Sequence, residues 1–79
     1  MAVKIYTTTA CTECKKVKEF FNANKIEYIE INIENNQSAA KEMITKSGQL
    51  SVPVVDFNGN IIVGFNKNKL TEAFKHESL

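Results

Sequence analysis

The 79-residue chain has no tryptophan, one proline, three glycines and two cysteines. Two cysteines cannot build the several bridges that staple small secreted domains, so Cys11 and Cys14 leave a single staple, half a metal site or a redox pair. A formal net charge of +1 supplies no global field, which argues against bulk attraction to nucleic acid or membranes and leaves only local patches. No apolar stretch approaches the ~20 residues that span a bilayer. The opening segment MAVKIYTTTA has no long apolar core, so no secretory signal is expected. The expected location is the cytoplasm, where a lone cysteine pair serves transient redox chemistry or metal binding more often than a permanent disulfide. No nucleic-acid or membrane partner is expected, and the chain is expected to be a monomer.

What is present suits one small domain over residues 1–79. A chain of this size buries only about 60–65% of the surface its unfolded form exposes, so an active site must be shallow. VKIYT (Val3 to Thr7) is a β-branched and aromatic run that predicts a strand. From Thr12 the period changes: Val17, Phe20, Phe21 and Asn24 fall on one helical face, with Lys15, Lys16, Lys18 and Glu19 opposite. IEYIEINI (Ile26 to Ile33) alternates imperfectly, as a strand covered on both faces would. SAAKEMITKSG predicts a helix with Ser38 as N-cap, Ala40, Met43 and Ile44 facing inward, and Gly48 as its stop. VPVVDF and NIIVGF are two further strands, with Asn58-Gly59 between them as a hairpin turn. NKNKLTEAFKHESL predicts a last helix capped by Asn68, with Leu70, Ala73 and Phe74 facing inward and His76 complementing its dipole. The order βαβαββα gives a mixed four-stranded sheet with helices on both faces. The first two strands are parallel through a right-handed crossover.

The cysteines fall where the first strand turns into the first helix. Cys11 then sits at a helix N-terminus, where free N–H groups and the positive dipole end favour a thiolate. Lys15 and Lys16 add positive charge one turn on, while the Glu13 carboxylate works against the anion. Cys14 lies within bonding distance, as thiol exchange requires. Pro53 opens a predicted strand. It is either an ordinary first-residue proline or a cis proline. Structural zinc wants four ligands, and His76 is the only further soft donor. Thr7 to Thr9 read as a strand end and loop more readily than as hydroxyls for the thiolate.

In this order, ACTECKKVKEFF, SGQLSVPVV and VGFNKNKL resemble the glutaredoxin family of the thioredoxin fold, over essentially the whole chain. The tail also resembles the G-F-R-P-D-K-L of glutaredoxin-like redoxins. The resemblance implies a thioredoxin-like α/β fold and a thiol–disulfide oxidoreductase. Cys11 is then the attacking thiolate, Cys14 the resolving thiol and Pro53 a cis proline facing them. Thr8, Thr12, Glu13, Leu50, Ser51 and Val52 would line the substrate, Val52 through its backbone. Gly64, Phe65 and Asn66, with Asn68, would form the wall for a glutathione carboxylate.

Departures from the pattern are specific. C-P-Y-C is C-T-E-C here, and redoxins usually carry C-V-Q-C. Thr8 stands where a basic residue usually precedes the first cysteine. Phe65, Asn68 and Leu50 replace the second Gly and the Asp of the tail and the Arg before V-P. The resemblance implies no bound cofactor and glutathione as electron donor, with disulfide-containing proteins as substrates. Thioredoxin reductase is the alternative donor on the redoxin side. An iron–sulfur or metal carrier using Cys11 and Cys14 is the alternative of a different class.

Overall fold

A computed structural model describes residues 3–74. The elements run β1 (Val3–Thr7), α1 (Thr12–Ala23), β2 (Ile29–Asn32), α2 (Gln37–Ser47), β3 (Val54–Phe57), β4 (Asn60–Val63) and α3 (Lys67–Phe74). The sheet order is β2-β1-β3-β4. β1 pairs with β2 in parallel, from Lys4 opposite Ile29 to Thr7 opposite Asn32. It pairs antiparallel with β3, which pairs antiparallel with β4. This is the expected mixed four-stranded sheet.

Residue parity along β1 assigns the helices to the two faces, because successive side chains of a strand point to opposite sides. Val3 and Ile5 join Val55, Phe57 and Ile62 beneath Val17 and Phe21 of α1 and Leu70 and Phe74 of α3. Tyr6 points the other way and packs with Val54 and Met43 of α2. Phe21 is the hub of the larger layer. Its ring lies 5.2 Å from Tyr28, 5.4 Å from Phe74 and 6.2 Å from Phe20 between centroids.

The turns follow their residues. Asn58 (φ 52°) and Gly59 (φ 92°) both adopt positive φ, as a two-residue hairpin turn that matches strand twist requires. Asp56 accepts a hydrogen bond from the Gly59 N–H at 2.9 Å and closes the turn. Gly48 ends α2 in the left-handed conformation, its N–H bonded to Ile44 O.

Several expectations are corrected. β2 is four residues long and mostly exposed, an edge strand rather than one covered on both faces. Ile26 and Tyr28 precede it and pack under α1 from the connection. Asn36, not Ser38, caps α2, because its Oδ1 reaches the Ala39 N–H at 3.0 Å. Ala39 and Met43 face inward, while Ile44 is 41% exposed. Asn66, not Asn68, caps α3, accepting from Lys69 N at 3.0 Å. β3 begins after Pro53 and β4 ends before Gly64. His76 lies outside the described residues.

Candidate active site

Cys11 is extended (φ −125°, ψ 106°) and forms the N-cap of α1. Its Sγ accepts a hydrogen bond from the Cys14 N–H at 3.1 Å, the position from which Ser or Asp oxygens usually cap a helix. Helical spacing places Cys14 in the same inward stripe as Val17 and Phe21, and all three are buried. Cys11 is half-buried. A disulfide joins the two cysteines with their Cα atoms 5.2 Å apart, well inside the range such a bond spans. The helix therefore presents one sulfur at the surface and holds the other beneath it.

The tail turn meets this helix start, and the proline loop is bonded to the tail turn. The Val52-Pro53 bond is cis and Pro53 is buried. Pro53 O accepts from Gly64 N at 2.8 Å, which extends the β3–β4 ladder by one bond and fixes the proline loop to the tail turn. Gly64 has φ +76°, a backbone conformation that L side chains rarely adopt. On the other side, Glu13 reaches across to the tail: its Oε1 accepts from the Phe65 N–H at 3.1 Å. The same oxygen lies 3.5 Å from where a Cβ on Gly64 would sit. The Lys16 ammonium lies 5.9 Å from the Phe65 ring centroid. Glu13, Lys16, Pro53, Gly64 and Phe65 are thus linked by described contacts, and Cys11 and Cys14 bracket Glu13 in the chain.

The remaining predicted residues are placed differently. Thr12, Lys15 and Ser51 are exposed, Leu50 is 66% exposed, and Thr8 is half-buried. No described contact ties these five to the sulfurs. Val52 packs its side chain against the Tyr6–Met43–Val54 cluster. Asn66 spends its side chain on the α3 cap. Thr7 is buried and its hydroxyl donates to Glu30 at 2.8 Å, while the Thr9 hydroxyl donates to Glu34. The Thr7 bond, with help from Lys18 at 3.1 Å, holds the Glu30 carboxyl below its usual range.

Sequence reasoning missed a polar cluster on the α2 side of the sheet. The buried Tyr6 hydroxyl donates to Glu42. Lys46 Nζ donates to Tyr6 OH at 3.1 Å and to Asp56 Oδ2 at 2.6 Å. Burial, and then the Glu42 bond, raise the Tyr6 phenol. The bonds to Asp56 and Tyr6 raise Lys46. Burial pushes Asp56 up, but bonds from Lys46 and the Gly59 N–H outweigh it and the carboxyl ends below its usual range. Lys46 and Asp56 lie ten residues apart, on a helix face and a strand face, with no local pattern to flag them. A shallow depression lined by Asn22, Ile26, Tyr28 and Ile29 lies at the far end of α1 from the cysteines. Among the described residues no three His, Cys, Asp or Glu side chains converge on a metal site. Nor is any described helix long and apolar enough to cross a membrane.

A mixed sheet with helices on both faces, a helix-capping C-x-x-C pair and a cis proline bonded to the tail turn define a small dithiol protein of the thioredoxin-like fold. The glutaredoxin family's sequence pattern matches residues 3–62. A glutaredoxin-like 8.6 kDa protein in a rubredoxin operon of Clostridium pasteurianum is 41% identical over 73 residues, 92% of this chain and 97% of that one. Glutaredoxin 3 of Escherichia coli K12 is 31% identical over 62 residues, 78% of this chain and 75% of that one. The crystal structure of a glutaredoxin from Archaeoglobus fulgidus superposes with a TM-score of 0.84 at 31% identity, covering 91% of this chain and 85% of that one. The chain belongs to the glutaredoxin family.

Proposed function

We propose that the protein is a thiol–disulfide oxidoreductase of the glutaredoxin type, working in the reducing cytoplasm on protein disulfides and glutathione mixed disulfides. One observation carries the reading: Cys11 Sγ occupies the cap of α1 and receives the Cys14 N–H, while Cys14 lies buried directly behind it. An N–H aimed at sulfur at a helix start stabilises a thiolate. The Cys11 thiolate attacks one sulfur of the substrate disulfide and releases the other as a thiolate. Cys14 then loses its proton to solvent and attacks Cys11. The substrate's second thiolate leaves, and the protein holds the disulfide. Two electrons have passed to the substrate.

In the first reading, glutathione resets the pair and no cofactor is bound. A second reading has thioredoxin reductase as donor. It is supported by the side chains at the places where family members hold glutathione: Thr8 and Leu50 carry no charge, and Leu50 is 66% exposed.

NADPH-coupled turnover of a glutathione mixed disulfide tests the reading, with glutathione plus glutathione reductase in one arm and thioredoxin reductase in the other. Turnover in either arm, abolished in Cys11→Ser, is expected, and the arm that turns over identifies the donor. Undiminished activity in Cys11→Ser would overturn the reading. Visible absorption after anaerobic purification, with no turnover in either arm, would favour the cluster or metal carrier instead.

A further inference from the structure

The Glu13–Phe65 contact bears on which disulfides the pair can take, given the oxidoreductase reading on which this inference rests. Glu13 is one of two residues between the cysteines and lies in the first turn of α1, two positions along the chain from the attacking sulfur. Its carboxylate oxygen accepts the Phe65 N–H at 3.1 Å and lies over the Gly64 backbone, where even a methyl group would be in van der Waals contact at 3.5 Å. The Phe65 N–H is a main-chain donor on the tail turn that meets the first turn of α1, and the protein itself already satisfies it with a negative charge. Among the described residues no lysine forms an ion pair with Glu13. Lys15, Lys67 and Lys69 are exposed, and Lys16 extends over the Phe65 ring. Salt screens these exposed cations over ~8 Å; the Glu13 carboxylate is exposed as well, but its bond to the Phe65 N–H holds it in one place at the tail turn.

We propose that Glu13 is a specificity-determining residue: among the disulfides the pair accepts, it slows those bearing a carboxylate near the sulfurs, glutathione disulfides included, relative to neutral and cationic ones. An anionic substrate loses twice at this spot. The donor it would use is taken, and it must bring a like charge beside the carboxylate. Repulsion built into a site discriminates as effectively as attraction, and like-charge juxtaposition carries a large cost at short range. The bond also pins the C-x-x-C turn to the tail turn.

The test uses the full chain, reduced beforehand so that no electron donor is needed. Its oxidation is timed by acid quench and thiol alkylation with three probes: glutathione disulfide (anionic), bis(2-hydroxyethyl) disulfide (neutral) and cystamine (cationic). Each probe breaks one S–S bond, forms the Cys11–Cys14 bond and leaves as two thiols. The neutral probe serves as the internal reference for fold integrity. In Glu13→Gln the rate with glutathione disulfide relative to the neutral probe is expected to rise about tenfold, and the relative rate with cystamine to fall. Glu13→Ala, which also frees the Phe65 N–H, is expected to raise the anionic ratio further. Ratios within twofold of wild type in both variants, with the wild type reactive, would overturn the role of Glu13 alone. A wild type no faster than Cys11→Ser with the neutral probe would overturn the oxidoreductase reading, and this inference with it.

Discussion

Replacing Lys46 with Met should destabilise the fold by an amount that depends on pH in a defined direction. Lys46 Nζ lies 2.6 Å from Asp56, with the two side chains 28% and 13% exposed. Met keeps the aliphatic stem but removes the ammonium, leaving Asp56 with the Gly59 N–H and Tyr6 without a donor to its oxygen. Breaking a fully buried pair from one side costs about 3–5 kcal/mol. Discounting for the partial exposure of Lys46 brings this to about 2 kcal/mol, or roughly 8–16 °C in Tm for a domain of this size. Asp56 in the fold titrates below its ordinary value, so its contribution is complete above ~3.9 and is lost as pH falls through the folded value. Lys46 is raised, so its contribution holds below ~10.4 and is lost only in the alkaline range. Urea unfolding at pH 7 should show the full deficit of Lys46→Met. At pH 3, on the acid side of the ordinary carboxylate range, the deficit should be smaller than at pH 7, because protonation removes the charge that the missing ammonium leaves unpaired. Adding Asp56→Asn should recover at least half of the pH 7 loss, because the orphaned charge goes with it. An equal deficit at both pH values, or no recovery in the double variant, would refute the electrostatic account.

Two further predictions concern packing and capping. Phe21→Ala removes a fully buried ring in contact with Tyr28 and Phe74. It should cost about 3–5 kcal/mol, read as a lowered urea midpoint with the slope unchanged. Asn36→Ala should cost about 1 kcal/mol and Ser38→Ala almost nothing. The reverse order in thermal melts would return the α2 cap to Ser38.

Local chemistry was legible wherever a short pattern decides it. The Val17–Phe21 spacing gave α1, Asn58-Gly59 gave the hairpin, and Gly48 gave the end of α2. The cysteine pair was legible as a site because strand, turn and helix start all fall within a dozen residues. β2 misled because Ile26 and Tyr28 look like strand positions. They face inward from a connection instead, with the Ile26 N–H still bonded to Phe21 O at 2.8 Å. Ile44 misled because its neighbours Ala39 and Met43 already fill the space beneath the sheet. Asn36 and Asn66, the actual caps, each stand two residues ahead of the caps expected at Ser38 and Asn68, and propensity alone does not rank such residues against each other. Glu13 was visible as an acid between the cysteines, but its partner lies 52 residues away, and nothing local announces a bond to a main-chain N–H.

The bond from the Cys14 N–H to Cys11 Sγ makes helix α1 a participant in the electron balance. A charged sulfur is a stronger acceptor than a neutral one, so the cap is tightest when the pair is reduced and Cys11 is ionised. Thermodynamic linkage then requires that the helix favour the reduced state by the energy the cap gains. Each ~1.4 kcal/mol of that gain moves a two-electron couple by ~30 mV toward greater oxidising power. A change in the first turn of α1 that leaves both sulfurs in place can therefore retune the potential, with the strength of a helix cap as its control.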